Sequence, residues 1–285
     1  MNLAFIEAFL ETARVGSMMK ASETLRISHA ALSKQLVSLE SHYGVSLFDR
    51  SPKGVTLTAQ GQLLYERIEP VYTELKAIEA ELRASVGDRK VAIGALPSVA
   101  AYVLPDVVRS LERGGYEVRV AVRETSAELA ELLRRGELQA ALLELPPGGT
   151  ADFWSAELFS EPYDVIVHDG HRFAGRTAVT MLEIGEEPLV LHPPTCTTRR
   201  LVSALIEEAG GRVRVKAEVP FGDYLLGYAA TGAGVTFAPR LASERLSVPG
   251  LAAVPIDHPR AKRTISLASG SRRIGSGLLP FFRSQ

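Results

Sequence analysis

Two segments of this 285-residue chain put hydroxyl groups where helices should begin. They are Pro97-Ser98-Val99 and His192-Pro193-Pro194-Thr195-Cys196-Thr197-Thr198-Arg199. The first turn of a helix leaves N–H groups unbonded and carries the positive end of the dipole, so such a segment can hold a small anion. Each hydroxyl can equally well cap its own helix. A third group, His29, Ser33 and Lys34, shares one face of a short helical stretch. Serine and lysine donate to base acceptors or phosphates, and histidine can do either. The plainer reading of that group is the solvated face of a small helical domain.

Catalytic and metal chemistry find little support. The histidines, His29, His42, His168, His171, His192 and His258, show no ligand spacing such as H-E-x-x-H. His168 and His171 lie close together in a strand-to-loop segment, but no third ligand accompanies them. No G-x-S-x-G elbow or phosphate-binding P-loop occurs. Cys196 is the only cysteine, which excludes an intrachain disulfide and a cysteine-built zinc site. A helix end beside it could lower its pKa; the competing role is a structural or pocket-lining thiol. No enzyme activity, cofactor or metal is expected.

The elements that must position these residues are legible in the apolar spacing. Leu3, Ile6, Phe9, Leu10 and Ala13 recur at helical intervals and stop at Gly16. Ser17 can cap a second helix from Met18 to Leu25, and Ser28 a third running to Tyr43, closed by Gly44. Three short helices with a tight turn before the third describe a helix-turn-helix. Leu32, Leu36, Leu39 and Tyr43 should pack inward from the third helix, while His29, Ala30, Ser33, Lys34 and Val37 share the other face. The polar residues cluster at its N-terminal end, where a recognition helix meets base edges. Leu47-Phe48, a turn at Ser51-Pro52-Lys53-Gly54, and Val55 to Leu57 read as a hairpin. Carrying Arg50 and Lys53, it would be a wing suited to phosphate or minor-groove contact. The basic excess of the first sixty residues is thin: Arg14, Lys20, Arg26, Lys34, Arg50 and Lys53 against Glu7, Glu11, Glu23, Glu40 and Asp49.

Thr58 can cap a long helix reaching about Val86. Leu64, Ile68, Val71, Leu75, Ile78 and Leu82 alternate steps of four and three, an a/d seam flanked by charge. Such a narrow seam suits a partner helix, and the competing reading is a helix lying on its own domain. Pro70 should kink the helix between Glu66 and Pro70. Gly87-Asp88-Arg89 reads as a hinge.

From Lys90 onward strands alternate with helices, the mark of a mostly parallel sheet. The expected order is strand Val91–Gly94, helix Ser98–Arg113, strand Val118–Arg123, helix Ser126–Arg135 and strand Gln139–Leu143. A second unit follows: strands Val165–His168 and Leu189–Leu191, helix Thr197–Ala209, strand Val213–Lys216, helix Gly222–Thr231 and strand Val235–Phe237. Strand Ile265–Ala268 comes late, and Leu278 to Phe282 should pack back on the first lobe. Crossovers near Ser160 and Leu267 would leave a cleft between two lobes. Phe221-Gly222-Asp223 also opens a helix on the cleft side, but its aspartate would discourage an anion.

Composition agrees with this layout. Hydrophobic residues make up 46% and charged residues 23%, ample for more than one core. The net charge of -1 means that any nucleic-acid contact must come from a local patch. Glu7 and Glu11 interrupt the one apolar stretch near the start, so neither a signal peptide nor a membrane span is expected, and a cytoplasmic location is.

The chain resembles the LysR-type transcriptional regulators along its whole length. The pattern is carried by Met1-Asn2-Leu3, Ala21 to Leu25, Ala31-Leu32-Ser33-Lys34-Gln35-Leu36, Leu39-Glu40, Gly44-Val45-Ser46-Leu47-Phe48-Asp49-Arg50 and Gly54-Val55-Thr56-Leu57-Thr58 through Gly61. Further on it is carried by Val91-Ala92-Ile93-Gly94, Leu104-Pro105, Gly136-Glu137-Leu138 and Gly232-Ala233-Gly234. The chain departs from it at His29-Ala30, where Gln-Pro is common, at Val37 and Ser38, often basic, and at Gln139, often Asp. Fewer phosphate contacts than usual follow from the second departure.

The resemblance implies an α+β multi-domain chain: a winged helix-turn-helix over 1–58, a dimerising linker helix over 59–87, and an effector-binding domain over 88–285. That domain would be two-lobed α/β, similar to periplasmic binding proteins, with lobe I at about 90–160 and 268–285 and lobe II at about 161–267. By the same resemblance Ser98, Thr195, Thr197 and Thr198 would line the pocket, with Thr125 or Ser126 nearby. The expected partners are double-stranded DNA at a two-fold symmetric operator, a small anionic effector, and a second copy of the chain, with a tetramer beyond the dimer. A solute-binding receptor and an enzyme on a two-lobed scaffold are the rival readings.

Overall fold

The computed structural model describes all residues except Met1, Pro52–Lys53, Val86–Asp88, Pro147, Phe221–Asp223, Ser247 and Ser284–Gln285; the side chains of Ala77 and Ala80–Ser85 are also outside the description. Lys53, the Leu82 side chain, the hinge residues Gly87-Asp88 and the segment Phe221-Gly222-Asp223 therefore lie outside the described residues. The chain divides into two compact units, Met1–Ile78 and Glu79–Gln285.

The first unit holds helices α1 (Leu3–Val15), α2 (Met18–Leu25) and α3 (His29–Tyr43), the hairpin β1 (Phe48–Ser51) and β2 (Gly54–Leu57), and the start of α4 (Ala59–Ser85). Their ends are set by local chemistry. Gly16 and Gly44 close α1 and α3 in the left-handed conformation, and the Ser28 hydroxyl accepts the Ala31 N–H at 3.1 Å. Thr58 caps α4, accepting the Gly61 N–H at 3.0 Å and donating to the Ser46 carbonyl at 2.8 Å. Gly61 allows this entry, because a Cβ there would stand 2.0 Å from the Leu47 carbonyl oxygen.

Ile6, Phe9, Leu10, Leu32, Leu36, Leu39, Leu47 and Phe48 form this unit's core. Tyr43 is not among them. It is 40% exposed, because the last turn of α3 runs past the body of the unit. The seam on α4 also differs from expectation. Leu64 and Ile68, together with Tyr65 and Tyr72, pack onto this same core, so the first turns of α4 lie on their own domain. Val71 and Ile78 are 61% and 44% exposed. The helix runs unbroken through Pro70.

The first strand of the second unit is where it is expected, β3 (Lys90–Ala95). The single helix expected over 98–113 is two, α5 (Pro97–Tyr102) and α6 (Leu104–Arg113), broken at Val103 with φ −113 and ψ −49. Pro105 lacks the N–H that a continuous helix would need and sits in the first turn of the second piece instead. There follow β4 (Glu117–Val122), α7 (Ser126–Arg134), β5 (Ala140–Glu144) and β6 (Trp154–His168). The chain then continues through α8 (Met181–Ile184), β7 (Leu189–Leu191), α9 (Thr197–Glu208), β8 (Val215–Glu218), α10 (Tyr224–Ala230), β9 (Thr236–Pro239) and α11 (Arg240–Ser243). Strands β10 (Leu251–Pro255) and β11 (Lys262–Ser269) and helix α12 (Arg272–Arg283) complete it.

The large sheet runs β10-β6-β11-β5-β3-β4, with β9 also on β6. Strands β3, β4 and β5 are parallel, and β11 is antiparallel to β5 and β6. Strand β6 is far longer than the four residues expected. Its first part pairs with β11, and Tyr163 onward pairs with β9 and β10. It thereby serves both lobes. One core gathers Ile93, Val107, Leu129 and Leu142, and the other Val167, Leu189, Val202 and Val235. Ile265 and Leu267 belong to the first core, so lobe I resumes several residues before the expected 268. The expected return of the C-terminus is present, with Leu278 and Phe282 buried in the first core. Gly94 lets α7 approach the sheet, since a Cβ there would stand 2.6 Å from a Leu129 methyl and 2.5 Å from a Leu138 methyl. Among the described residues no helix is long and apolar enough to cross a membrane.

Candidate functional site

On α3, Leu32, Leu36 and Leu39 are buried, which leaves the opposite face to solvent. His29, Ala30, Lys34 and Val37 are exposed there and Ser33 is half-buried. The cap at Ser28 fixes the helix start, so these residues stand in the first turns of a held helix. The wing is tied to the same helix by Glu40. Its carboxylate accepts the Leu47 N–H at 2.9 Å and the Phe48 N–H at 3.3 Å, and pairs with Arg50 at 3.4 Å. Arg50, singled out for phosphate contact, is thus partly engaged with the fold. The sequence offered no local sign of Glu40's role, because its partners lie in the next element.

Between the lobes of the second unit lies a cleft of about 350 Å³, within the range of small-ligand pockets. Lobe I contributes the residues that follow the C-terminal ends of its parallel strands: Ser98 after β3, Glu124 and Ser126 after β4, and Glu144 at the end of β5. Such strand ends are where open α/β sheets take ligands. Lobe II contributes His192, Cys196, Thr197 and Thr198 at the head of α9, and Pro239 and Ala242. Arg263, from β11, also lines it.

Of the hydroxyls expected in the pocket, Ser98, Ser126, Thr197 and Thr198 come together. Thr125 and Thr195 do not line it. Thr125 accepts the Glu128 N–H at 3.2 Å while Glu128 accepts from the Thr125 N–H at 3.0 Å, a reciprocal cap that consumes both. Thr195 is exposed in the loop ahead of α9.

The remaining hydroxyls differ in what they can still offer. The Ser98 oxygen accepts from Arg263 at 2.8 Å, and the Ser126 oxygen accepts the Glu144 N–H at 3.0 Å. Both keep a proton to donate. Thr198 donates to the Tyr163 hydroxyl at 3.0 Å. The head of α9 has no side-chain cap, Cys196 occupying the N-cap position.

Buried charge at this site escaped the sequence reading. Arg263 Nε and Nη2 donate to one oxygen of Glu161, at 2.9 and 2.7 Å, and the other oxygen accepts the Leu241 N–H at 2.6 Å. The pair joins β6 to β11, and reaches α5 through Ser98 and α11 through Leu241. Both side chains are almost wholly buried. Glu144 has no such partner: its carboxylate makes no hydrogen bond or ion pair among the described residues. Burial raises its pKa above the usual carboxylate value, against the opposing pull of Arg263 and Arg200. Glu124 is raised in the same way, by burial and then by Glu128. Burial holds the His192 imidazole below its ordinary pKa, while its Nδ1 lies 3.4 Å from the Val219 carbonyl. Among the described residues no group of histidine, cysteine or carboxylate side chains could hold a metal ion.

A winged helix-turn-helix with an exposed recognition face, followed by a two-lobed α/β unit with a cleft, defines a DNA-binding regulator carrying a ligand-binding domain. Residues 3–62 match the bacterial regulatory helix-turn-helix proteins of the lysR family, and residues 85–283 match the LysR substrate binding domain. The chain belongs to the LysR family of transcriptional regulators, which are DNA-binding proteins and not enzymes.

It is 29% identical over 272 residues to the HTH-type transcriptional regulator YybE of Bacillus subtilis, covering 92% of this chain and 90% of the relative. It is 28% identical over 274 residues to the DNA-binding transcriptional dual regulator OxyR of Escherichia coli, covering 94% and 88%. In fold it resembles a cysteine variant of full-length OxyR from Pseudomonas aeruginosa, with TM-score 0.69 and 22% identity over 100% of this chain and 94% of that one. It also resembles full-length CbnR bound to its target DNA, with TM-score 0.57 and 20% identity over 100% and 99%.

Proposed function

We propose that a small anionic metabolite bound between the lobes controls how this regulator engages its operator. The uncapped head of α9, opening onto the cleft with the Thr197 hydroxyl beside it, carries this reading. Unbonded N–H groups and the helix dipole favour negative charge there, and Ser98 donates from the facing lobe. The effector shifts the placement of two DNA-reading units to the extent that it binds one arrangement better than the other. The units are paired by α4, whose apolar positions Val71, Leu75 and Ile78 lie outside the N-terminal core, in a dimer that assembles further to a tetramer. The dimer reads a two-fold symmetric site through His29, Ala30, Ser33 and Lys34, with Arg50 and Lys53 of the wing on phosphates. Acting on operators places the protein in the cytoplasm.

The test is to identify by mass spectrometry what co-purifies with the full chain, then measure its effect on operator mobility shift. Ser98→Ala and Thr197→Val should each weaken the response to that compound. A bound structure with the compound outside the cleft, or a response untouched by both substitutions, overturns the reading.

A second reading is favoured by Cys196, which lines the cleft at the N-cap of α9. Relatives such as that of Dickeya chrysanthemi are named hydrogen peroxide-inducible genes activators. In this reading the Cys196 thiolate attacks one peroxide oxygen; the S–O bond forms, the O–O bond breaks, and the departing hydroxide takes up a proton to leave as water. With no second cysteine, the product stays a sulfenic acid. One added oxygen on Cys196 after peroxide treatment, with altered operator binding absent from Cys196→Ser, supports it. An unmodified thiol overturns it.

A further inference from the structure

The cleft presents two kinds of polar group. At the head of α9, on lobe II, Thr197 can donate a proton and the first-turn N–H groups add to it, and Ser98 can donate from lobe I. At the ends of β4 and β5 the cleft presents carboxylates instead, Glu124 at the rim and Glu144 deeper in. Among the described residues, Arg263 is the guanidinium that lines the cleft, and it is committed to Glu161 and Ser98. It therefore offers neither a free counter-charge for a plain anion nor a partner for Glu144. The Ser126 oxygen accepts the Glu144 backbone N–H, and among the described residues nothing hydrogen-bonds or pairs with the Glu144 carboxylate. A half-buried carboxylate without partners carries a cost that a donor would relieve. An anion lying across the cleft would add repulsion to that cost.

We propose that the molecule held in this cleft carries a protonated amine or comparable cationic donor as well as an anionic group, with the cationic end at Glu144 and Glu124. The inference rests on the cleft being the effector site, and it narrows the effector from an anion to a small zwitterion. An ammonium gives Glu144 the donor it lacks, while the anionic group faces α9. A compound without the amine covers the half-buried Glu144 and leaves it unpaired, and that penalty is the source of selectivity. Burial that raises the Glu144 pKa fits a carboxylate awaiting a donor.

The experiment uses the full chain and thermal unfolding in the presence of the common L-amino acids. Each is matched to the carboxylate lacking its amine, such as propionate for alanine and glutarate for glutamate. The expected result is that at least one amino acid raises Tm and binds at least about tenfold more tightly than its matched carboxylate. Glu144→Gln, with circular dichroism unchanged, should bring that ratio close to one. The proposal is overturned if no amine-bearing compound stabilises the protein, if matched carboxylates stabilise it equally, or if Glu144→Gln preserves the ratio. The two failures separate cleanly. Carboxylates that bind alone, and are weakened by Ser98→Ala and Thr197→Val, keep the cleft and refute the amine. A selective amine unaffected by those two substitutions refutes the cleft itself.

Discussion

The exposed face of α3 and the interlobe cleft are built in opposite ways. Every residue of the α3 face comes from one stretch of fifteen, held by a serine cap and a buried leucine stripe behind it. Its polar groups look outward, with water as their alternative partner. The cleft draws on segments from Leu96 to Arg263, and its Arg263–Glu161 pair is withdrawn from water. Polar groups on a surface can be exchanged one at a time. Those of a buried network stand or fall together, because each removal strands a partner.

The largest effect is expected at the Arg263–Glu161 pair. Arg263→Ala leaves Glu161 buried without its cation and should cost about 3–5 kcal/mol of stability, read by urea denaturation of the second unit. A loss below about 1 kcal/mol would mean that the pair behaves as a surface pair, and the contrast fails. Next in size is assembly. Leu75→Glu should dissociate the dimer in light scattering and lower operator affinity by about 10²-fold or more, since one half-site no longer assists the other. A parent oligomer that persists would remove α4 from the interface.

Smaller effects sharpen the contrast. Lys34→Ala should weaken operator binding by about 1–3 kcal/mol with unchanged circular dichroism and unchanged melting. A drop in Tm would show that α3's exposed face is structural after all. The smallest change concerns the two helix heads with hydroxyls. Thr125→Ala should cost about 1 kcal/mol of stability and leave the effector response alone, whereas Thr197→Val should do the reverse. If Thr125→Ala abolished the response, the division between capping and binding hydroxyls would be misplaced.

Much of this fold could be read from local pattern. The boundaries of α1, α2 and α3 follow from Gly16, Ser17, Ser28 and Gly44, because capping chemistry acts within one turn. The parallel strands β3, β4 and β5 were found within about one residue. Even the fate of Thr125 was legible, since Thr125 and Glu128 are the residue types of a capping box, whereas Cys196 and Arg199 at the same spacing are not.

Other features depended on neighbours distant in sequence. Strand β6 continues through Glu157 and Glu161, charged residues that broke the alternation by which strands are recognised. Glu161 is tolerated there because Arg263, on β11, supplies its counter-charge. Leu64 and Ile68 have the spacing of a dimer seam, yet they cover the core made by α1 and α3. Spacing identifies an apolar face but not what covers it.

What the sequence determined by itself, then, was each element, its caps and the family pattern, all of which are written within a turn or two of chain. Tertiary structure decided which hydroxyls face the cleft, which arginine is spent on an internal partner, and which carboxylate is left unmatched. Those outcomes depend on approach and burial across many residues. Loss of water, which makes a charge need a partner, exists only once the chain has folded around it.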